Sequence, residues 1–239
     1  MEADEFQIKE KSAGLLVIRV GIHFLVGMGI WGGFLFCAAG SVSWLRGWIH
    51  LGLWIVMMAV NFPILLKKNP AVLAARMKKH KFDKLFDLII TLFIILPAIL
   101  AIPIISGLDA VRYKFTALPF WMICPAVLLH IAGDVLVVWS MAVNPYLEKT
   151  VRIQKERGHY VITTGPYAFV RHPMYVGMIM LFAAIPLTLG SGLAFVPVVV
   201  LIIALIIRIV FEDRMLHCDL PGYEEYAKKT RYRLLPGVW

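Results

Sequence analysis

Between Asn144 and Gly177 the chain reads NPYLEKTVRIQKERGHYVITTGPYAFVRHPMYVG, a polar, charge-dense island set between two long apolar runs. Tyr167 and Tyr175 supply aromatic faces, Arg171 and His172 supply hydrogen-bond donors, and Glu212, beyond the next two apolar runs, supplies a carboxylate. Those types suit a polar ligand with an adenine-like face, a ribose-like diol and a charged end. A chain that places so much hydrogen-bonding chemistry in one interhelical segment is expected to hold its site there, because loops on a rigid scaffold concentrate function. The plain alternative is a solvated loop, since Gly165-Pro166 and His172-Pro173 are also ordinary turn chemistry.

Several chemistries lack their residues. There is no GxGxxG after a strand, no P-loop, no HExxH and no serine in a nucleophile elbow. Cys37, Cys124 and Cys218 have no paired spacing, so neither a zinc site nor a disulfide framework is indicated, and no metal is expected.

The elements that must position the island are apolar helices. The 239 residues are 60% hydrophobic and 16% charged, far from the make-up of a soluble domain. The expected fold is all-α, a polytopic membrane protein with spans near 15–39, 47–66, 85–106, 118–143, 173–189 and 193–211, each close to the roughly 20 residues that cross a bilayer. One domain, 1–239, accounts for the chain, with a ligand region at 144–177 and 208–239. The first residues are acidic and the apolar run after them exceeds a signal-peptide core, so an uncleaved first span is expected. The net charge of +9 does not point to nucleic acid, because the basic residues flank the apolar runs. Lys and Arg number 19 in the two tails, loop 67–84 and segment 144–172, against 3 in the opposite loops. The positive-inside rule then puts both termini and the island in the cytoplasm. Oligomeric state is not legible.

Within the spans, Gly29 and Gly33, with Gly21 and Gly27 nearby, have the small-xxx-small spacing that admits a neighbouring helix, expected from within the chain, with dimerisation the alternative. Trp44 and Trp48 bracket Arg46 as interfacial anchors. Loop 67–84 opens on Asn69-Pro70 and alternates Val72, Leu73 and Met77 with Arg76, Lys78, Lys79 and Lys81, an amphipathic helix for the membrane surface or a lid over a lipid entrance. His130 and Asp134 share a helix face in span four, where a bare carboxylate is costly, and Arg19 of span one is an available partner. Gly190-Ser191-Gly192 requires spans five and six to return antiparallel, which brings Arg171 to Tyr175 beside Arg208 to Glu212. Tyr223 to Arg231 then reads as a short amphipathic helix in a tail able to cap the site.

His159, Val161, Thr164, Gly165, Tyr167, Arg171-His172-Pro173, Tyr175 and Gly177, followed by Glu212, Gly222, Tyr223 and Tyr226, form a combination that resembles the isoprenylcysteine carboxyl methyltransferase family of membrane enzymes. The resemblance implies S-adenosylmethionine as cofactor, bound by the island, the start of span five, the end of span six and the tail. By position it implies that Gly165 and Tyr167 shape the pocket wall, that His159, His172, Tyr175 and Tyr226 contact the cofactor, and that Glu212 meets its ribose or amino group. The family's acidic cluster is reduced here to Glu212-Asp213, and the first 140 residues carry no matching motif.

Methyl transfer from a sulfonium is an in-line displacement in which the protein aligns the acceptor and excludes water. A carboxylate acceptor needs no base, and Arg171 or Arg208 would hold its oxygens. An amine or thiol must lose a proton, and Glu212 or a histidine would then matter. The acceptor expected is lipid-like or small and hydrophobic, reached from the bilayer. Two other readings stay open at this point: an NADPH-dependent reductase of the sterol-reductase type, because the Arg-His-Pro-x-Tyr element is similar there, and a non-catalytic transporter or scaffold built on His130 and Asp134.

Overall fold

The structure, a computed structural model, describes the backbone of residues 2–77 and 84–239 and the side chains of residues 14–77 and 84–239. Among the described residues, five helices are long and apolar enough to cross a membrane: Gly14–Ala39, Leu45–Lys68, Leu85–Tyr113, Phe120–Val143 and Phe195–Asp219. These are spans one, two, three, four and six. Span five, Pro173–Leu189, has 17 residues, about 25 Å of helix against a hydrocarbon core of about 30 Å. The expected spans are all present, and span three runs on to Tyr113. Pro97 and Pro103 withhold backbone donors there, and the helix widens to π geometry at Thr91–Ile95, just ahead of Pro97, and again at Leu108–Tyr113.

Span five packs chiefly on span four, and two glycines permit it. A methyl group on Gly177 would lie 2.6 Å from the carbonyl oxygen of Gly133, and one on Gly133 would lie 2.7 Å from that of Gly177. Gly107 does the same for spans one and three, 2.6 Å from Leu35 O and Ala39 N. The expected close approach at Gly29 and Gly33 is corrected by these contacts. Nothing lies within 4 Å of a methyl placed on Gly21, Gly27, Gly29 or Gly33; Gly29 and Gly33 lie on the face of span one opposite its buried stripe, Val20, Trp31, Leu35 and Ala39. The main core, with Leu35, Ile102, Leu189, Leu201, Leu205 and Ile209 wholly or almost wholly buried, lies where spans one, three, five and six meet.

Away from the island the loops are tied by two charges. Asp109 accepts from Ser191 Oγ at 2.6 Å, Thr116 N at 2.7 Å and Leu193 N at 3.1 Å, and Arg46 donates to Leu118 O at 2.8 Å. The half-buried Asp134 also departs from expectation. It accepts from Asn61 Nδ2 at 2.8 Å, whereas Arg19 is exposed on a face turned from the bundle. Pro70–Met77 is helical as expected, but its apolar Val72 and Leu73 pack into a protein core with Leu65 and Met141 in place of facing a membrane surface; Lys78, Lys79 and Lys81 lie outside the described residues.

Candidate active site

The site begins with a buried carboxylate. Asp213, near the end of span six, is 1% exposed and is met by Arg171 Nε at 2.9 Å and Nη2 at 3.0 Å, Tyr223 Oη at 2.8 Å, Arg233 Nε at 2.8 Å and His172 Nε2 at 3.2 Å. A carboxylate removed from water is stable only when paired and hydrogen-bonded in this way. The same groups dock the tail. Arg171 Nη1 donates to Thr230 O and Arg231 O, while Arg171 N and His172 N donate to Tyr232 O and Arg233 O at 2.9 and 3.0 Å. The start of span five, the end of span six and the tail therefore share one electrostatic centre.

Beside that centre opens a cleft, continuous with solvent and lined by apolar side chains with a few convergent polar groups, as ligand sites are. His159, Tyr167, Tyr175 and Tyr226 line it, as do Arg171, His172, Arg208 and Glu212. Tyr175 donates to Glu212 Oε2 at 2.6 Å, so the two ends of the span-five and span-six pair do meet at one depth. Gly165 does not line the cleft. Its φ of +62° turns the chain into the short helical turn Gly165–Ala168 that carries Tyr167, and a methyl there would sit 3.0 Å from Trp139 Nε1. Tyr226 donates to Tyr167 O at 2.7 Å and Asn144 to Tyr167 Oη at 3.0 Å. Burial pushes the phenols of Tyr167, Tyr223 and Tyr226 above the usual range, keeping all three protonated donors.

The opposite wall is the island itself. His159 stacks on Tyr146 with centroids 4.2 Å apart, and its Nδ1 lies 3.3 Å from Gln154 N, which must donate. Burial, reinforced by Arg157 and Arg152, lowers the His159 pKa to about 4, so at neutral pH the ring is uncharged and offers Nε2–H. Glu148, also in the cleft wall, is gripped by Arg152 Nε at 2.7 Å and Nη2 at 3.2 Å. Asp87 of span three is fully buried and joins this wall to span six. Its Oδ2 accepts from Val151 N at 2.8 Å, its Oδ1 faces Arg208 Nε at 2.8 Å, and Arg208 Nη2 donates to Lys149 O at 2.7 Å. Among the described residues Arg208 Nη1 has no protein partner, and Arg208 lines the cleft.

The residues that the sequence offered as catalytic or cofactor-binding, Gly165 apart, thus line one cleft, with different duties. Arg171 is committed to Asp213 and the tail, which leaves Arg208 as the cation facing open space. Asp213 and Asn144 were noted in the sequence but given no role, and Asp87, Glu148 and Tyr146 were not singled out. For Glu148 a signal existed in its i,i+4 spacing to Arg152, but Asp87 sits in an apolar run far along the chain from its partners.

Residues 121–218 match the family model for phospholipid methyltransferases. This segment holds span four, the island, span five and most of span six, and with them most of the residues that line the cleft; Leu220, Tyr223 and Tyr226 of the tail lie beyond it. By match and by fold, the chain is an integral membrane methyltransferase. The fold is similar to the structure of a eukaryotic intramembrane Ras methyltransferase, isoprenylcysteine carboxyl methyltransferase, with a TM-score of 0.59 at 15% identity over 100% of this chain and 87% of that one. No curated protein matches by sequence. The methyltransferase has its matched segment where the polar residues converge, so the reductase and transporter readings lose their ground.

Proposed function

We propose that the cleft binds S-adenosylmethionine and that the enzyme moves its methyl group to a lipid-like acceptor entering from the bilayer, with the termini and the cleft on the cytoplasmic side and the whole chain acting as one domain. The observation that carries this reading is the Tyr175–Glu212 hydrogen bond within a cleft at the end of two apolar helices. The lining fits the cofactor: stacked Tyr146 and His159 offer aromatic faces, Glu148 and Glu212 offer carboxylates for a ribose diol or an ammonium group, and the His159 Nε2–H is a neutral donor. When bound, the cofactor supplies a methyl group on a positively charged sulfur, and that carbon–sulfur bond breaks as the bond to the acceptor forms.

The protein's share is orientation and exclusion of water. Arg208 is fixed by Asp87 and Lys149 O and aims its remaining amino group at a developing or resident acceptor charge. Glu212, held by Tyr175, is the carboxylate placed to take a proton from an amine acceptor. Arg171 and His172 act through Asp213 by keeping the tail closed over the site. The test is to incubate the protein in lipid nanodiscs with methyl-labelled cofactor and host membrane lipids, then read label in the lipid fraction. Labelled lipid that disappears in Arg208→Gln is expected; no label over background with any lipid class, in protein that binds the cofactor, would refute the acceptor assignment.

A further inference from the structure

Away from the cleft, the apolar interior contains a second polar cluster. Trp31 of span one, His50 and Trp54 of span two and His130 of span four form one group of rings, with centroids 6.2 Å apart for Trp31 and His50 and 5.9 Å for His50 and His130. His50 is wholly buried, His130 is 1% exposed and Trp31 is 6% exposed. Trp31 Nε1, both nitrogens of His50 and His130 Nε2 meet no protein hydrogen-bond partner. Buried polar atoms of native proteins are satisfied almost without exception, so four together call for a ligand.

Their chemistry restricts what that ligand is. His130 Nδ1 lies 3.0 Å from Ala126 O. A carbonyl only accepts, so Nδ1 carries the hydrogen and Nε2 of the neutral ring is an acceptor. The Trp31 indole only donates. The ligand must therefore take a hydrogen bond from an indole and give one to an imidazole. A direct ring-to-ring hydrogen bond of about 2.9 Å would bring the two imidazole centroids to roughly 5.2 Å, short of the 5.9 Å observed. A metal cation does not fit the donors: no group of three or more His, Cys, Asp or Glu is gathered among the described residues, and an indole N–H repels a cation.

We infer that Trp31, His50 and His130 bind ordered water inside the bundle and so bridge spans one, two and four. Buried water of this kind makes about three hydrogen bonds, and Trp31 Nε1, His130 Nε2 and the two His50 nitrogens supply the donors and acceptors for one or two molecules. One turn farther along span four, Asp134 meets Asn61 of span two directly at 2.8 Å. The water and this pair are two polar rungs between the same two helices. They hold in register the span whose end leads into Asn144 and the cleft wall.

The test uses the full chain in lipid nanodiscs. Solid-state NMR with polarisation transferred from water is expected to show contact to the Trp31 indole N–H and to the His130 ring, and a structure at a resolution that shows solvent should place a peak within hydrogen-bonding distance of both. Trp31→Phe should remove the indole signal and weaken the transfer to His130. No water transfer to either ring, a dry contact in the density, or stoichiometric zinc or copper by elemental analysis that His50→Leu abolishes would each overturn the inference.

Discussion

At the scale of single residues the reading turns on which charges are spent and which are free. Glu212 is bonded to Tyr175 yet lines the cleft, so its charge remains available to a ligand. Glu212→Gln is expected to weaken S-adenosylhomocysteine binding by about 1.5–3 kcal/mol, the worth of a charge-assisted hydrogen bond, or roughly tenfold to over a hundredfold. Titration calorimetry of the variant beside the parent checks this. His159 gives a separate prediction. The unfolded chain takes up its proton near the ordinary 6.5, the folded chain only near 4, so this group's contribution to stability is full above about pH 6.5 and is lost as pH falls toward 4. Histidine NMR should find its midpoint near 4; a midpoint at 6.5 would place it in open solvent. The residue types of the site were legible because His159, Tyr167, Arg171, His172, Tyr175 and Glu212 interrupt apolar sequence. Their division of labour was not, since nothing along the chain shows that Asp213 takes both Arg171 and Arg233.

At the scale of elements, two contacts hold the cleft's frame. Removing Arg171 leaves Asp213 with Arg233, His172 and Tyr223 but takes away its two-point contact and the bonds to Thr230 O and Arg231 O, so Arg171→Ala is expected to cost at most about 3–5 kcal/mol and to free the tail; limited proteolysis near Thr230 and the thermal midpoint report both. Arg171→Lys should rescue little, because an ammonium cannot reproduce the paired contacts of Nε and Nη2 with Asp213. The approach of spans four and five is the other contact. Gly177→Val pushes a branched side chain into the backbone of Gly133 and the side chain of Val137, with an expected loss of about 1–3 kcal/mol or more. Melting in detergent measures it. All six helices could be read from hydropathy, since each is a long apolar run bounded by charge, Pro or Gly. Which glycines mattered could not be read. Small-xxx-small spacing favours Gly29 and Gly33, yet the buried stripe of span one runs on the other face, and the close approach falls on Gly133 and Gly177 in different helices.

At the scale of the molecule, the excess of basic residues on one side predicts that both termini and the cleft face the cytoplasm. Cysteines placed near Gly14 and near Lys114, in a chain cleared of its own three, should label from opposite sides, and equal labelling from outside would contradict the arrangement. The architecture accounts for how a mostly apolar chain would handle the proposed charged cofactor. Spans four, five and six bring the polar island, Glu212 and the tail to one end of the bundle, where the proposed water-soluble cofactor and an acceptor from the bilayer would meet. The most direct measurement of the central claim is calorimetric titration of the purified enzyme with S-adenosylhomocysteine and, separately, with NADPH. Saturable one-site binding of the first that weakens at least tenfold in Glu212→Gln, and no heat from the second, is the predicted result. Saturable binding of NADPH alone, or S-adenosylhomocysteine affinity unchanged in Glu212→Gln, would contradict the account.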